Sequence, residues 1–158
     1  MESLIQILDQ ALLDEVTERA RASARLRTNH NFHRSAEENP HRFLNAMVEG
    51  TYCQPHRHSV PPKSESFLVL RGRVAVFVFD DTGKVLETHV LSTNGTLAVD
   101  IPPGVWHTIA AISPTAVCYE VKPGPWDPKA DKGFAPWAPA EGDPRAQIFL
   151  ESLLANVR

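Results

Sequence analysis

"SFLVLRGRVAVFVFDDTGKVLETHVLS", residues 66–92, is the stretch on which the fold turns. Three β-rich runs, "SFLVLRG", "VAVFVFDD" and "KVLETHVLS", are parted by Gly72 and by the "DDTGK" turn. Short apolar runs bounded by turn residues read as strands, and the turn between the second and third reads as a hairpin. Working outward, the same texture continues in "FLNAMVEG", "TYCQPHRH", "TLAVDIP", "HTIAAIS" and "TAVCYEV", punctuated by Gly50, Asn94-Gly95, "PPG" and "SP". Eight short strands at this spacing predict a sandwich or barrel. Between Arg25 and Tyr119 no long helical pattern interrupts them.

The flanks read differently. Residues 3–22, "SLIQILDQALLDEVTERARA", place Leu4, Ile5, Leu8, Leu12 and Val16 at helical spacing, with acids and arginines opposite. This predicts one amphipathic helix, packed on the barrel or on a second subunit. After Lys122 comes "KPGPWDPKADKGFAPWAPAEGDP", rich in proline and aromatics, which reads as an ordered loop over the barrel. "RAQIFLESLLANV" then predicts a short closing helix. The expected organisation is one domain: an N-terminal helix over 1–24, a β-barrel over 25–122, and the loop with its short helix over 123–158.

Composition narrows the function. A chain of 158 residues can bury a core without staples. Its net charge of −3 gives no global reason to expect nucleic acid or an anionic membrane as partner. Cys53 and Cys118 are far apart and lack CxxC spacing, so a disulfide framework is not expected and a reducing interior is. There is no basic, apolar leader at the N-terminus and no run of membrane-spanning length. The expectation is a cytoplasmic protein with a small-molecule ligand.

Chemistry enters at "TYCQPHRHSV", residues 51–60. In a strand His56 and His58 share a face, roughly 6.6 Å apart along the chain. Glu65 opens the strand that follows, and "IPPGVWHT" delivers His107 behind a proline-glycine turn. Three imidazoles and one carboxylate suit a divalent first-row metal such as Zn, Fe, Ni, Cu or Mn. His30, His33, His41 and His89 read as ordinary surface or hydrogen-bonded histidines. Period-two alternation places Tyr52 and Gln54 on the face of His56 and His58, unless Pro55 breaks the pleat. Arg25, Arg27 and Arg42 are able to grip a phosphate or carboxylate, although flanking exposed charges is the plainer reading. Trp126 and Trp137 either stack on a sugar or seal the barrel, the latter being the simpler reading.

Gly50, His56-Arg57-His58, Glu65 and Gly72 resemble the first motif of the cupin superfamily, and "GTLAVDIPPGVWH" resembles the second. Six residues separate His58 from Glu65, more than in the general cupin pattern, and Ala111 stands where an asparagine is common. "RTNHNFH", "NAMVEGTYCQPHRHSVPPKSE", "IPPGVWHT", "YEVKPGPWDP" and "DKGFAPWAP" are together similar to the WbuC-type cupin-fold metalloproteins, bacterial proteins sometimes encoded among O-antigen sugar genes. In that family the longer gap is normal. The resemblance implies a mainly β, cupin-type jelly-roll β-barrel, with His56, His58, Glu65 and His107 as ligands of one divalent metal (Zn, Fe, Mn or Ni). It adds Lys63, Glu120 and Lys122 near the site, and with Tyr52 these supply candidate catalytic groups: Tyr52, Lys63 and Glu120. It also implies a homodimer. Two function classes follow: a metal-dependent enzyme on a small polar substrate, such as a sugar or sugar nucleotide, or a non-catalytic metal and ligand binder.

Overall fold

In the computed structural model, which describes residues 4–155 and 157, two five-stranded antiparallel sheets lie face to face. The first runs β1 (Arg27–Asn31), β2 (His41–Val48), β9 (Thr115–Lys122), β4 (Glu65–Arg71) and β7 (Ala98–Ile101). The second runs β10 (Gly133–Phe134), β3 (His56–Arg57), β8 (Trp106–Ala111), β5 (Arg73–Phe79) and β6 (Val85–Ser92). This is the cupin-type jelly roll, built as a two-sheet sandwich. No helix among the described residues is long and apolar enough to cross a membrane.

The central strands β2, β9, β5 and β8 are covered on both faces, and this explains their nearly unbroken apolar runs, whereas β6 and β7 are largely exposed. Between the sheets, Met47, Phe67 and Val69 meet Val74, Val76, Leu91 and Ile109. Behind the second sheet, Ala75, Phe77 and Phe79 pack with Trp106 against Leu150 and Leu153 of the closing helix α2 (Ala146–Leu154). Behind the first sheet, Leu44, Ala46 and Val117 receive Leu13, Val16 and Ala20 of the helix α1 (Gln10–Ala22). Burying Leu13 and Val16 stabilises the structure by about 1.5–3 kcal/mol each. The hairpin between β5 and β6 is fixed by Asp80, whose Oδ1 accepts from the Thr82 and Lys84 amides at 2.8 and 3.0 Å. Gly83 sits there at φ +90, with Trp137 lying over its α-carbon.

Several boundaries differ from the sequence reading. The first helix starts at Gln10, because Asp9 is extended and caps it by accepting from the Leu12 amide at 2.9 Å. Leu4 and Ile5 precede that cap and lie exposed outside the helix, and Ser3 falls outside the described residues. The closing helix spans Ala146–Leu154 rather than 145–157, and residue 156 is likewise outside the described residues. "TYCQPHRH" contributes only the two-residue β3. Two strands, β1 and β10, were not expected. "RTNHN" has no apolar alternation, and "GF" is too short to signal anything.

Candidate metal centre

The four residues singled out by motif spacing come together where the two sheets face each other. His56 on β3 pairs directly across from His107 on β8, in the second sheet. Glu65 opens β4 in the first sheet, opposite Ile101. His58 follows β3, and the loop after it is closed by the Gly104 amide donating to the His58 carbonyl at 3.0 Å. All four side chains are buried, and one ligating atom from each lies within 4.8 Å of the others. The Nε2 atoms of His107 and His58 stand 3.0 and 3.6 Å from Glu65 Oε2.

The imidazole orientations follow from their other nitrogens. His56 Nδ1 is 2.9 Å from the Gln54 carbonyl, and His107 Nδ1 is 3.0 Å from the Val105 carbonyl. His58 Nδ1 contacts the Asp131 carbonyl. A carbonyl oxygen only accepts, so each Nδ1 carries the proton and each Nε2 turns inward with a free lone pair. Buried His56 Nε2 and His58 Nε2 have no hydrogen-bond partner among the described residues. His107 Nε2 faces a carboxylate oxygen, another acceptor. Inward lone pairs with nothing to donate to them are the arrangement that metal-ligating histidines adopt, fixed by acceptors behind the ring. The donor set therefore fits a divalent first-row ion.

The surrounding charges are paired with care. Burial works against the Glu65 carboxylate, but hydrogen bonds from His107, His58 and Glu120 and the nearby Lys122 ammonium hold its pKa well below the usual range, and an ion at the centre would supply positive charge in place of the Nε2 protons. Glu120 moves oppositely, pushed well above that range by burial and by the adjacent Glu65 charge. Burial keeps His56 well below the ordinary imidazole value, and the Lys132 charge adds to the effect. Lys122 Nζ lies 3.0 Å from Asp131 Oδ2 and 3.7 Å from Glu65 Oε1. Lys63 Nζ lies 3.0 Å from Asp131 Oδ1 and donates to the Pro125 carbonyl at 2.6 Å.

A cavity of about 630 Å³ opens over the centre. Met47, Phe67 and Ile109 give it an apolar wall, while Glu120 and Lys122 face it from β9. Of the candidate catalytic groups, Glu120 alone lines it. Tyr52 is turned away: its ring packs near Phe149 and its hydroxyl donates to the Pro139 carbonyl at 2.7 Å. Gln54 also points elsewhere, its amide reaching the Ala135 carbonyl at 3.3 Å. The alternation fails because the segment before His56 is not a strand, the outcome anticipated at Pro55. Thr51 and Cys53 take the cavity side instead. Lys63 is neither a solvated cation nor a cavity group; it is buried in the ion pair beneath.

The arginines are also sorted. Arg25 and Arg27 both bind Glu141, and Arg42 binds Glu38. Trp137 seals the barrel against Phe79 and Trp106, whereas Trp126 sits half exposed at the cavity rim. His33 and His41 are hydrogen-bonded, to the Arg42 and Ala36 carbonyls at 3.1 and 3.0 Å, and stack on each other at 4.0 Å in the cavity wall. Asp131 escaped the sequence reading altogether. Its only signal was a lone acid between lysines in "KADKG", which ordinarily marks a solvated loop.

Comparison with known proteins agrees with this architecture. The capsular polysaccharide assembling protein CapF from Staphylococcus aureus is similar at 22% identity and a TM-score of 0.60, over 71% of this chain and 32% of CapF. The chain thus spans about a third of that protein's length. CapF has also been solved with the inhibitor 3-isopropenyl-tropolone. The protein TT1209 from Thermus thermophilus is similar at 21% identity and a TM-score of 0.56, over 76% of this chain and 98% of its own. These likenesses concern the fold. No curated protein matches the sequence. Residues 8–91 match the family described as a domain of unknown function, DUF6016, and the match covers α1, the HxH pair with Glu65, and most of β6. With more than half of its length inside that match, the chain belongs to the DUF6016 family.

Proposed function

We propose that His56, His58, Glu65 and His107 hold one divalent first-row metal ion, Zn, Fe, Mn or Ni, and that the protein is a metal-dependent enzyme acting on a small polar molecule. One observation carries the reading: three buried imidazoles, each tied back through Nδ1, aim Nε2 at a common point beside an ionised carboxylate. An ion held there would supply Lewis-acid polarisation of a ligand oxygen. The chain's own groups do the rest. Glu120 and Lys122 face the cavity beside the centre and are placed to hold or pass a proton, and Met47, Phe67 and Ile109 offer an apolar surface to the rest of a ligand. Lys63 and Asp131 keep Lys122 and the His58 ring in position.

A carbohydrate-derived substrate is supported by the likeness to CapF, a capsular polysaccharide assembling protein, and by the resemblance to WbuC-type proteins. A chelating inhibitor such as a tropolone, two oxygens on adjacent ring carbons, suits a cavity floored by an ion. Cytoplasmic residence accords with the unpaired Cys53 and Cys118. A homodimer is supported by the exposed Leu4 and Ile7 ahead of α1, and sedimentation of the full chain tests it.

The test is elemental analysis of protein purified without chelator, beside His56→Ala and His107→Ala. The expected outcome is one ion per chain in the wild type and little in either variant, with the β-sheet circular dichroism unchanged. Full occupancy in the variants would refute the site. An ion bound without turnover across a panel of sugars and sugar nucleotides would move the reading to a binding protein.

A further inference from the structure

Arg34 and Lys132 face the cavity and make no ion pair among the described residues, whereas the other cations facing it are already committed. Arg25 and Arg27 end on Glu141, and Lys122 ends on Asp131 and Glu65. Arg34 lies near Glu38, but that carboxylate is taken by the Arg42 guanidinium at 2.8 Å and by the Arg34 amide at 2.6 Å. Lys132 is half-buried in the cavity wall, just before β10, where Phe134 pairs with His56. The two cations come from separate segments, the turn after β1 and the loop before β10. The part of the wall that β1 supplies is polar. Alternate residues of β1, namely Arg27, Asn29 and Asn31, face the cavity, and behind them Asn45 Oδ1 is buried with no hydrogen-bond partner among the described residues.

We propose that the cavity binds a small hydroxylated molecule bearing an oxyanion, a carboxylate or a phosphate, with Arg34 and Lys132 receiving the oxyanion and the hydroxylated part directed at the centre. The guanidinium fork and the ammonium point charge both suit such a group, and neither needs to give up an existing partner to bind it. The exposed amides of Asn29 and Asn31 are able to pair with ligand hydroxyls. The volume lies within the usual range for small-molecule sites. This inference rests on the metal-centre reading for the orientation of the ligand, but not for the seat of its charge.

The test is calorimetric titration of the full chain, metal-loaded and metal-stripped, with glucose, gluconate and glucose 6-phosphate. Metal content is measured on the same samples. One or both charged sugars should bind at least about tenfold more tightly than glucose, and Arg34→Gln and Lys132→Gln should each weaken that binding about three- to tenfold. Metal content should stay unchanged in both variants. Preference for gluconate alone identifies a carboxylate, preference for glucose 6-phosphate alone a phosphate, and either supports the proposal. Because gluconate also chelates metals, a preference that survives both substitutions overturns it. So does equal binding of glucose, or no binding of any of the three. A protein that holds no metal yet keeps the Arg34- and Lys132-dependent preference would refute the metal-centre reading alone.

Discussion

Asp131→Asn is the most informative single change, because one carboxylate serves two buried ammonium groups. Asp131 and Lys63 are each 3% exposed as side chains and Lys122 is 7%, with both ion pairs at 3.0 Å. Removing one partner of a buried pair costs about 3–5 kcal/mol, since it strands the other charge. Lys122 would keep Glu65 at 3.7 Å, whereas Lys63 would keep only the Pro125 carbonyl. The asparagine oxygen preserves one hydrogen bond, so the lower end applies, about 3 kcal/mol. For a chain of this size that lowers Tm by about 6–12 °C. The same residue's carbonyl orients His58, so a loosened loop should also weaken metal binding, by about 10–100-fold. Urea denaturation of the metal-free protein reads the first effect, and competition with a chromophoric chelator reads the second. Adding Lys63→Met should restore part of the lost stability, because it removes the stranded charge. A loss below about 1 kcal/mol with unchanged metal affinity would refute this account of the loop.

Glu65→Gln should lower metal affinity, and X-ray absorption on the wild type should find an oxygen at about 2.0–2.2 Å if zinc is bound; an all-nitrogen protein shell would remove Glu65 from the ligands. Metal affinity should fall as pH drops, because protons compete for Nε2. His56 is buried with its pKa well below the ordinary value near 6.5, so its proton competes only at more acidic pH than that of an exposed imidazole. A chelator titration that shows no loss of affinity even in strong acid would argue against three histidine ligands. Gly83→Ala should destabilise by about 1–3 kcal/mol, since φ is +90 and a Cβ would lie 2.6 Å from Trp137. Gly142→Ala, at φ +85 but in open space, should cost about 1 kcal/mol; equal losses in thermal melts would show that the Trp137 contact does not matter.

What was legible in the chain follows from which signals are local. "VAVFVF" announces a strand covered on both faces, and the HxH pair, Glu65 and His107 stand at motif spacing, so the sheets and the centre could be read directly. Tyr52 was misplaced because alternation was extended through a segment that is not strand. Leu4 and Ile5 continue the helical stripe in sequence, yet Asp9 ends it by capping. β1 was missed because its inward residues face a polar cavity rather than a core, which removes the apolar half of the pattern. Asp131 was invisible for a different reason. Its partners Lys63 and Lys122 stand 68 and 9 residues away, and only the folded loop brings the three together.

The acceptors behind the three imidazoles are the main-chain carbonyls of residues 54, 105 and 131. Every amino acid carries that oxygen, so no substitution at those positions deletes the group that sets a ring's tautomer. Where carboxylate side chains do this work, the outer layer of a metal site drifts or is lost one codon at a time. Here it is written in backbone path alone. The side chains of Gln54 and Val105 are therefore not the groups that orient a ligand ring, and Asp131 meets its lysines through its side chain and His58 through its main chain. Ring orientation depends instead on whatever bends the chain at those points, including Pro55 beside His56 and Gly104 just before Val105.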